Sequence, residues 1–257
     1  MDWQHAALTL HCVLGMDKAI VAVDIAHDQE TFDAWDVPIL KGRLSFCTMV
    51  KMATLGRGRK ALGENFRCPG ASEVFRFSEP GPEALSGERL HGFGLYADTE
   101  TARAVQAAMP RLDAPCLGIT TTPVATAPRP PQSLLLIVDA YQAMRLVQGW
   151  AYHNGPLKSL FLVGNRGICA EAVARPLATG KPNLTPLCAN TRHTAKWADG
   201  DLGFGLPFSC LESLADGLVN TIPAVEPPDR KEGLLKRCEK AGVDLDLPSG
   251  TCYFMKD

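Results

Sequence analysis

Two runs of unbroken aliphatic residues stand out along the chain, Ala19 to Asp24 and Leu134 to Asp139, each ending in Val-Asp. Lack of alternation predicts strands buried on both faces. Apolar residues at three-and-four spacing predict helices over Thr99 to Met109 and Ser209 to Val219, with another from about Tyr141 to His153. After the charged stretch Asp229 to Glu232, a last helix is expected near Leu234 to Ala241. Arg43 to Cys47, and Ser159 to Val163 continuing to Ile168 and Cys169, read as strands that each open into a helix.

Parts of this pattern occur twice. Gly92 to Leu95 and Gly203 to Leu206 are the same tetrapeptide, Gly-Phe-Gly-Leu. An aromatic follows a cysteine by nine positions ahead of each copy: Phe77 after Cys68 and Trp197 after Cys188. Further back, Cys47 precedes Cys68 by 21 positions and Cys169 precedes Cys188 by 19. The expectation is an α/β fold of two diverged copies of a strand-strand-helix-strand-helix unit related by a pseudo-twofold. Segments near 19–109 and 134–219 should superimpose, with the tetrapeptides on equivalent strands. The Pro/Gly/Glu-rich loop Ser78 to Gly87 is special to the first half and the helix over Tyr141 to His153 to the second. Proline density from Pro123 to Pro131 marks the join. The halves are then residues 1–120 and 121–222, with a C-terminal helical extension over 223–257.

Composition narrows the partners. A net charge of −2 and a pI near 6.3 offer no basic footprint for nucleic acid. No apolar stretch approaches the roughly 18 residues of a membrane span, and the first residues lack a secretory pattern, so a cytoplasmic protein is expected. With 257 residues the chain can bury a core without disulfides. Its nine cysteines are an odd number, and in a reducing compartment such thiols are buried, catalytic or metal-bound.

The paired cysteines are the candidate chemistry. Cys47 and Cys169 fall where a helix is expected to start, where amide dipoles favour a thiolate, and Cys68 and Cys188 sit in turn-rich sequence. Two thiols per half make a four-thiolate set, the donor set of an iron-sulfur cluster or of structural zinc. No Cys-x-x-Cys occurs, so the spacing is unlike the compact signatures of either and the symmetry carries the argument. Packing as small buried hydrophobes is the competing reading. Cys12, Cys116, Cys210, Cys238 and Cys252 have no counterpart and read as core or tail residues. Arg166, in the turn Gly164 to Gly167, and Arg192 with His193, just after Cys188, are candidates to face a small anion; a solvated Arg and a structural His are the plain alternatives. Asp24 and Asp139 read as strand-terminal turn residues.

Arg43 to Cys47 with Val50 and Ala53, then Cys68-Pro-Gly, Tyr141 to Met144, Cys169 to Val173, Gly180 to Asn183 and Cys188 with Arg192 together resemble the prokaryotic family Domain of Unknown Function 169 over about residues 10–220. The resemblance implies a shared architecture and a family pattern with cysteines at Cys47, Cys68, Cys169 and Cys188. It implies no reaction. The expected function is a cytoplasmic protein with one iron-sulfur cluster, 4Fe-4S favoured and zinc second, on those four cysteines between the halves. Redox or cluster-assisted lyase chemistry on a small, anionic substrate would follow, with an electron-transfer partner. The alternatives are a metal-free small-molecule-binding module with structural thiols, and a thiolate nucleophile at Cys169.

Overall fold

A computed structural model describes residues 2–253. Six strands, β1 (Val21–Ala26), β2 (Arg59–Leu62), β3 (Gly118–Pro123), β4 (Ser133–Val138), β5 (Asn183–Thr185) and β6 (Leu202–Pro207), form one antiparallel sheet of order β2-β3-β1-β4-β6-β5. In the first half lie helices α1 (Trp3–Leu14), α2 (Gln29–Asp33), α3 (Phe46–Thr54), α4 (Pro69–Val74), α5 (Pro82–Leu85), α6 (Glu88–Gly92) and α7 (Thr99–Ala108). The second half has α8 (Ala140–Asn154), a π-helix (Gly167–Ala174), α9 (Arg175–Thr179), α10 (Ala189–Ala195), α11 (Leu211–Val225) and α12 (Pro228–Lys240). The result is a mixed α/β protein.

The aliphatic runs explain the layering. Along β4, Leu134, Leu136 and Val138 enter one core, and Leu135 and Ile137 the other, so every side chain of the central strand is buried. On the first face lie α1, α8, α11 and α12; Gly149 of α8 and Gly217 of α11 let those two helices touch, since a Cβ on Gly217 would stand 2.0 Å from the Gly149 carbonyl oxygen. On the second face lie α3, α4 and the π-helix, with Cys47 and Cys169 in that core. α8 starts on a capping box, Asp139 accepting from the Gln142 amide and Gln142 from that of Asp139.

The sheet order is mirrored about the β1–β4 pair, each side running inner, middle, outer as β1, β3, β2 and β4, β6, β5. On each side the inner strand is followed, after an intervening helix (α2 or α8), by a helix bearing a cysteine near its start, and the outer strand is followed by a helix capped by a cysteine. The correspondence is not the one the tetrapeptides suggested. Gly203 to Leu206 lies in β6, but Gly92 to Leu95 runs from the end of α6 into a turn, so the copies do not occupy equivalent strands. The segment 19–109 holds two strands and 134–219 three, because β3, the counterpart of β6 in the sheet, lies beyond residue 109. A repeat with those limits is therefore not what the structure has.

Other expectations need correcting. Arg43 to Cys47 forms no strand: Leu44 makes an isolated bridge to Phe66, and Ser45 ends the extended chain by capping α3, its Oγ accepting from the Thr48 amide at 3.1 Å. Ser159 to Val163 is irregular and Cys169 sits inside the π-helix. Asp24 lies within β1, buried, where it accepts from the Gln132 amide, rather than at a strand end. The boundary at residues 120 and 121 cuts β3, and one sheet runs through both halves. The C-terminal helix does form, as α12, and Leu234 and Cys238 bury it against the same core as α1. None of the helices among the described residues is long and apolar enough to cross a membrane.

Candidate metal centre

The four paired cysteines meet. Cys47 is the second residue of α3, Cys68 caps α4, Cys169 is the third residue of the π-helix and Cys188 caps α10. All four line one cavity of about 260 Å³ between the two halves of the chain. Each sulfur thus stands at the amide end of a helix, where backbone N–H groups lack intrahelical partners. The remaining cysteines are elsewhere: Cys12 and Cys238 in the core on the opposite face, Cys116 donating to the Gly118 carbonyl at 3.0 Å, Cys210 beside Gly180, and Cys252 outside the cavity wall. All nine thiols are free.

Side chains of α10 bind sulfurs of the first half. The Thr191 hydroxyl donates to Cys47 Sγ, and Asn190 Nδ2 approaches Cys68 Sγ at 3.7 Å. Ser45 Oγ, at the start of α3, donates to Thr194 Oγ1 at 3.3 Å. Two residues beside the cysteines hold backbone that L-residues seldom adopt: Arg166 at φ 60° leads into the π-helix, and Leu187 at φ 66° precedes Cys188. The π-helix itself, uncommon and frequent at functional sites, lies on the bare backbone of β6. A Cβ on Gly205 would stand 1.9 Å from the Ala172 carbonyl oxygen, and one on Gly203 would meet Thr185 at 2.7 Å.

At Cys47 and Cys169 dipoles do not decide the charge. Burial pushes the Cys47 thiol up to about 12, against the hydrogen bond from Thr191, and raises Cys169 well above the ordinary range, with the neighbouring sulfurs adding to both. The expected thiolate-favouring effect at the helix starts is outweighed by desolvation. At neutral pH both are thiols, so binding a metal here requires their protons to leave. Among the described residues, no three His, Cys, Asp or Glu side chains gather closely enough for a single metal ion. A cluster asks less, since each thiolate binds a different iron of a larger body.

Among the described residues, charge in the cavity wall comes from Arg89 and Arg166 alone, and no carboxylate lines it. Buried Glu73 lies behind them and bridges the pair, Oε1 accepting from Arg89 Nη2 at 2.7 Å and Oε2 from Arg166 Nη2 at 2.6 Å. Arg166 Nη2 also donates to Gln106 Oε1 at 3.0 Å, and the stem of Arg166 lies against Gly70. The loop behind this turn is held by fully buried Glu171, which accepts from the Val163 and Gly164 amides at 2.8 and 2.9 Å and from Thr185. Burial raises the Glu171 carboxyl above the usual range, opposed by those hydrogen bonds.

Of the residues expected to face an anion, Arg166 is in the cavity wall and the other two are not. Arg192 donates to the carbonyls of Pro186, Ala198 and Asp201, pinning the loops around α10, and His193 is exposed on that helix. Glu73, Arg89, Gln106 and Thr191 were missed. Thr191 and Asn190 could have been suspected from their place beside Cys188, whereas nothing local marks Glu73 or Gln106, which acquire partners only when α4, α7 and the Arg166 turn come together.

The family described as Uncharacterised ArCR, Domain of Unknown Function 169, matches residues 9–217, a span that holds all four cavity cysteines. The chain belongs to this family. A protein of Methanocaldococcus jannaschii, described as uncharacterised, is 26% identical over 205 residues, covering 79% of this chain and 88% of its own. No solved structure matches. Helix α12 lies outside the family match.

Proposed function

We propose that this chain is an iron-sulfur protein holding one cluster, 4Fe-4S favoured, on Cys47, Cys68, Cys169 and Cys188, and acting in the cytoplasm on a small molecule by redox or lyase chemistry. The convergence of these four cysteines, and of no other, on one cavity carries this reading. Soft sulfur donors with no carboxylate among them suit iron-sulfur chemistry better than a hard cation. A cluster with a thiolate on each iron would supply an electron store, and lyase chemistry would need one of the four thiolates to yield its iron to substrate. The chain's own residues do the rest: four helix starts offset negative charge, Thr191 and Asn190 orient two sulfurs, and the apolar lining limits water. Nine free thiols suit a reducing compartment and an electron partner.

Protein made without oxygen in an iron-replete host should be coloured and carry about four iron and four sulfide per chain. Colour and iron should be lost in Cys47→Ser and Cys169→Ser and kept in Cys210→Ser, with all three folded by circular dichroism. Colourless wild-type protein without iron or sulfide refutes the cluster. The burial of Cys47 and Cys169 within the core favours one other reading, a metal-free cavity in which the thiols are packing residues; colourless protein that tolerates both changes would establish it. Bound zinc in place of iron would mark the second-choice metal.

A further inference from the structure

The cavity wall is divided in character. Among the described residues Arg89 and Arg166 provide its only charge, and at its mouth stand Phe93 and Leu95, 72% and 52% exposed, next to buried Leu90. These two apolar side chains share one cavity wall with the paired guanidinium groups, so a single ligand can meet both. Gly94, at φ 71° with open space around it, makes the turn between them.

The guanidinium groups are under-used. Arg166 is 6% exposed, yet its Nη1 is buried with no hydrogen-bond partner, so its desolvation is left uncompensated. Among the described residues, Arg89 donates only to Glu73, and its side chain remains 24% exposed on the cavity side. Two guanidinium groups against the one carboxylate of Glu73 leave a single formal positive charge. A monocarboxylate matches it, whereas a phosphate of about −1.5 to −2 exceeds it and makes no use of the apolar mouth.

We propose that the mouth of this cavity binds a small organic monocarboxylic acid, its carboxylate held by Arg89 and Arg166 and its apolar body against Phe93 and Leu95. Glu73 and Gln106 are positioning residues: they aim the guanidinium groups. The inference names the substrate class for the centre proposed above and rests on that reading for the place of reaction, but binding is measured apart from the cluster.

Calorimetric titration of the protein as purified without oxygen tests it, with benzoate and octanoate as probes, and benzamide and inorganic phosphate as controls. Benzoate and octanoate should bind, and benzamide at least about tenfold more weakly, the scale of one charge-assisted hydrogen bond. Arg89→Gln should weaken benzoate by about tenfold or more. Phe93→Ala should weaken octanoate several-fold and leave folding intact. Absence of heat with both carboxylates, or benzoate binding unaltered in Arg89→Gln, overturns the proposal. So does phosphate binding as tightly as benzoate with no effect of Phe93→Ala, which would make this an inorganic-anion site. A colourless protein that still binds benzoate through Arg89 would remove the cluster and keep the acid site.

Discussion

One tetrapeptide, Gly-Phe-Gly-Leu, occurs twice and has two opposite fates. In β6, Phe204 and Leu206 are fully buried in one core while Gly203 and Gly205, on the other face, let the π-helix rest on the strand. At residues 92–95 the same order leaves Phe93 and Leu95 in water at the cavity mouth, and nothing approaches either glycine. The alternation is that of a half-buried strand in both places, but a strand forms only where a partner backbone is available, and β4 and β5 flank β6. The glycines therefore mean different things: close approach in one copy, a free turn in the other. Each copy serves the cysteine cavity, one by seating the helix that carries Cys169, the other by lining the entrance.

The largest contrast should come from the phenylalanines. Phe204→Ala is expected to lower unfolding stability by about 3–5 kcal/mol, the range for emptying an aromatic site in a packed core. Phe93→Ala should stay within about 0.5 kcal/mol in the same denaturant titration, as for other exposed positions. Equal losses in the two would mean that residues 92–95 are packed in solution.

Next come the glycines of β6. Gly205→Ala forces a methyl onto the Ala172 carbonyl, so the π-helix must shift; a loss of about 1–3 kcal/mol or more is expected, with weaker iron retention because Cys169 moves with it. Gly92→Ala, in open space, should be indistinguishable from wild type by thermal melting.

A smaller effect concerns pH. In the metal-free protein the buried Cys47 thiol holds its proton up to about 12, well above an unfolded cysteine, so the folded state binds more protons between about pH 9 and 12. Stability from this group is complete below about pH 9 and falls as pH rises towards 12. Metal-free Cys47→Ala should show a shallower alkaline decline in urea midpoint than metal-free wild type, and an unchanged slope would locate the decline in other buried thiols such as Cys116. A last, local effect is Gly94→Ala, where a positive φ should cost about 1–2 kcal/mol with no change in iron content.

Much of the architecture is legible without coordinates. The aliphatic runs fix β1 and β4 as the buried centre of the sheet, three-and-four periodicity finds α7, α8, α11 and α12, and the paired spacing of Cys47, Cys68, Cys169 and Cys188 selects the four cysteines that share a cavity out of nine. These are local or combinatorial properties: burial on both faces requires unbroken apolar residues, and helices need a periodic face. What only the tertiary structure decides is what each residue finds across the fold. Arg43 to Cys47 becomes a cap and helix start rather than a strand because Ser45 binds the Thr48 amide. Arg192 points its guanidinium at three carbonyls and Arg166 at Glu73, although both follow or precede a cavity cysteine by only three or four residues. The helix starts that favour thiolates in isolation are overruled by burial, which depends on the whole core and not on the turn in which a cysteine sits. Element type is set by neighbours in sequence, whereas charge state, partners and the use of a glycine are set by neighbours in space.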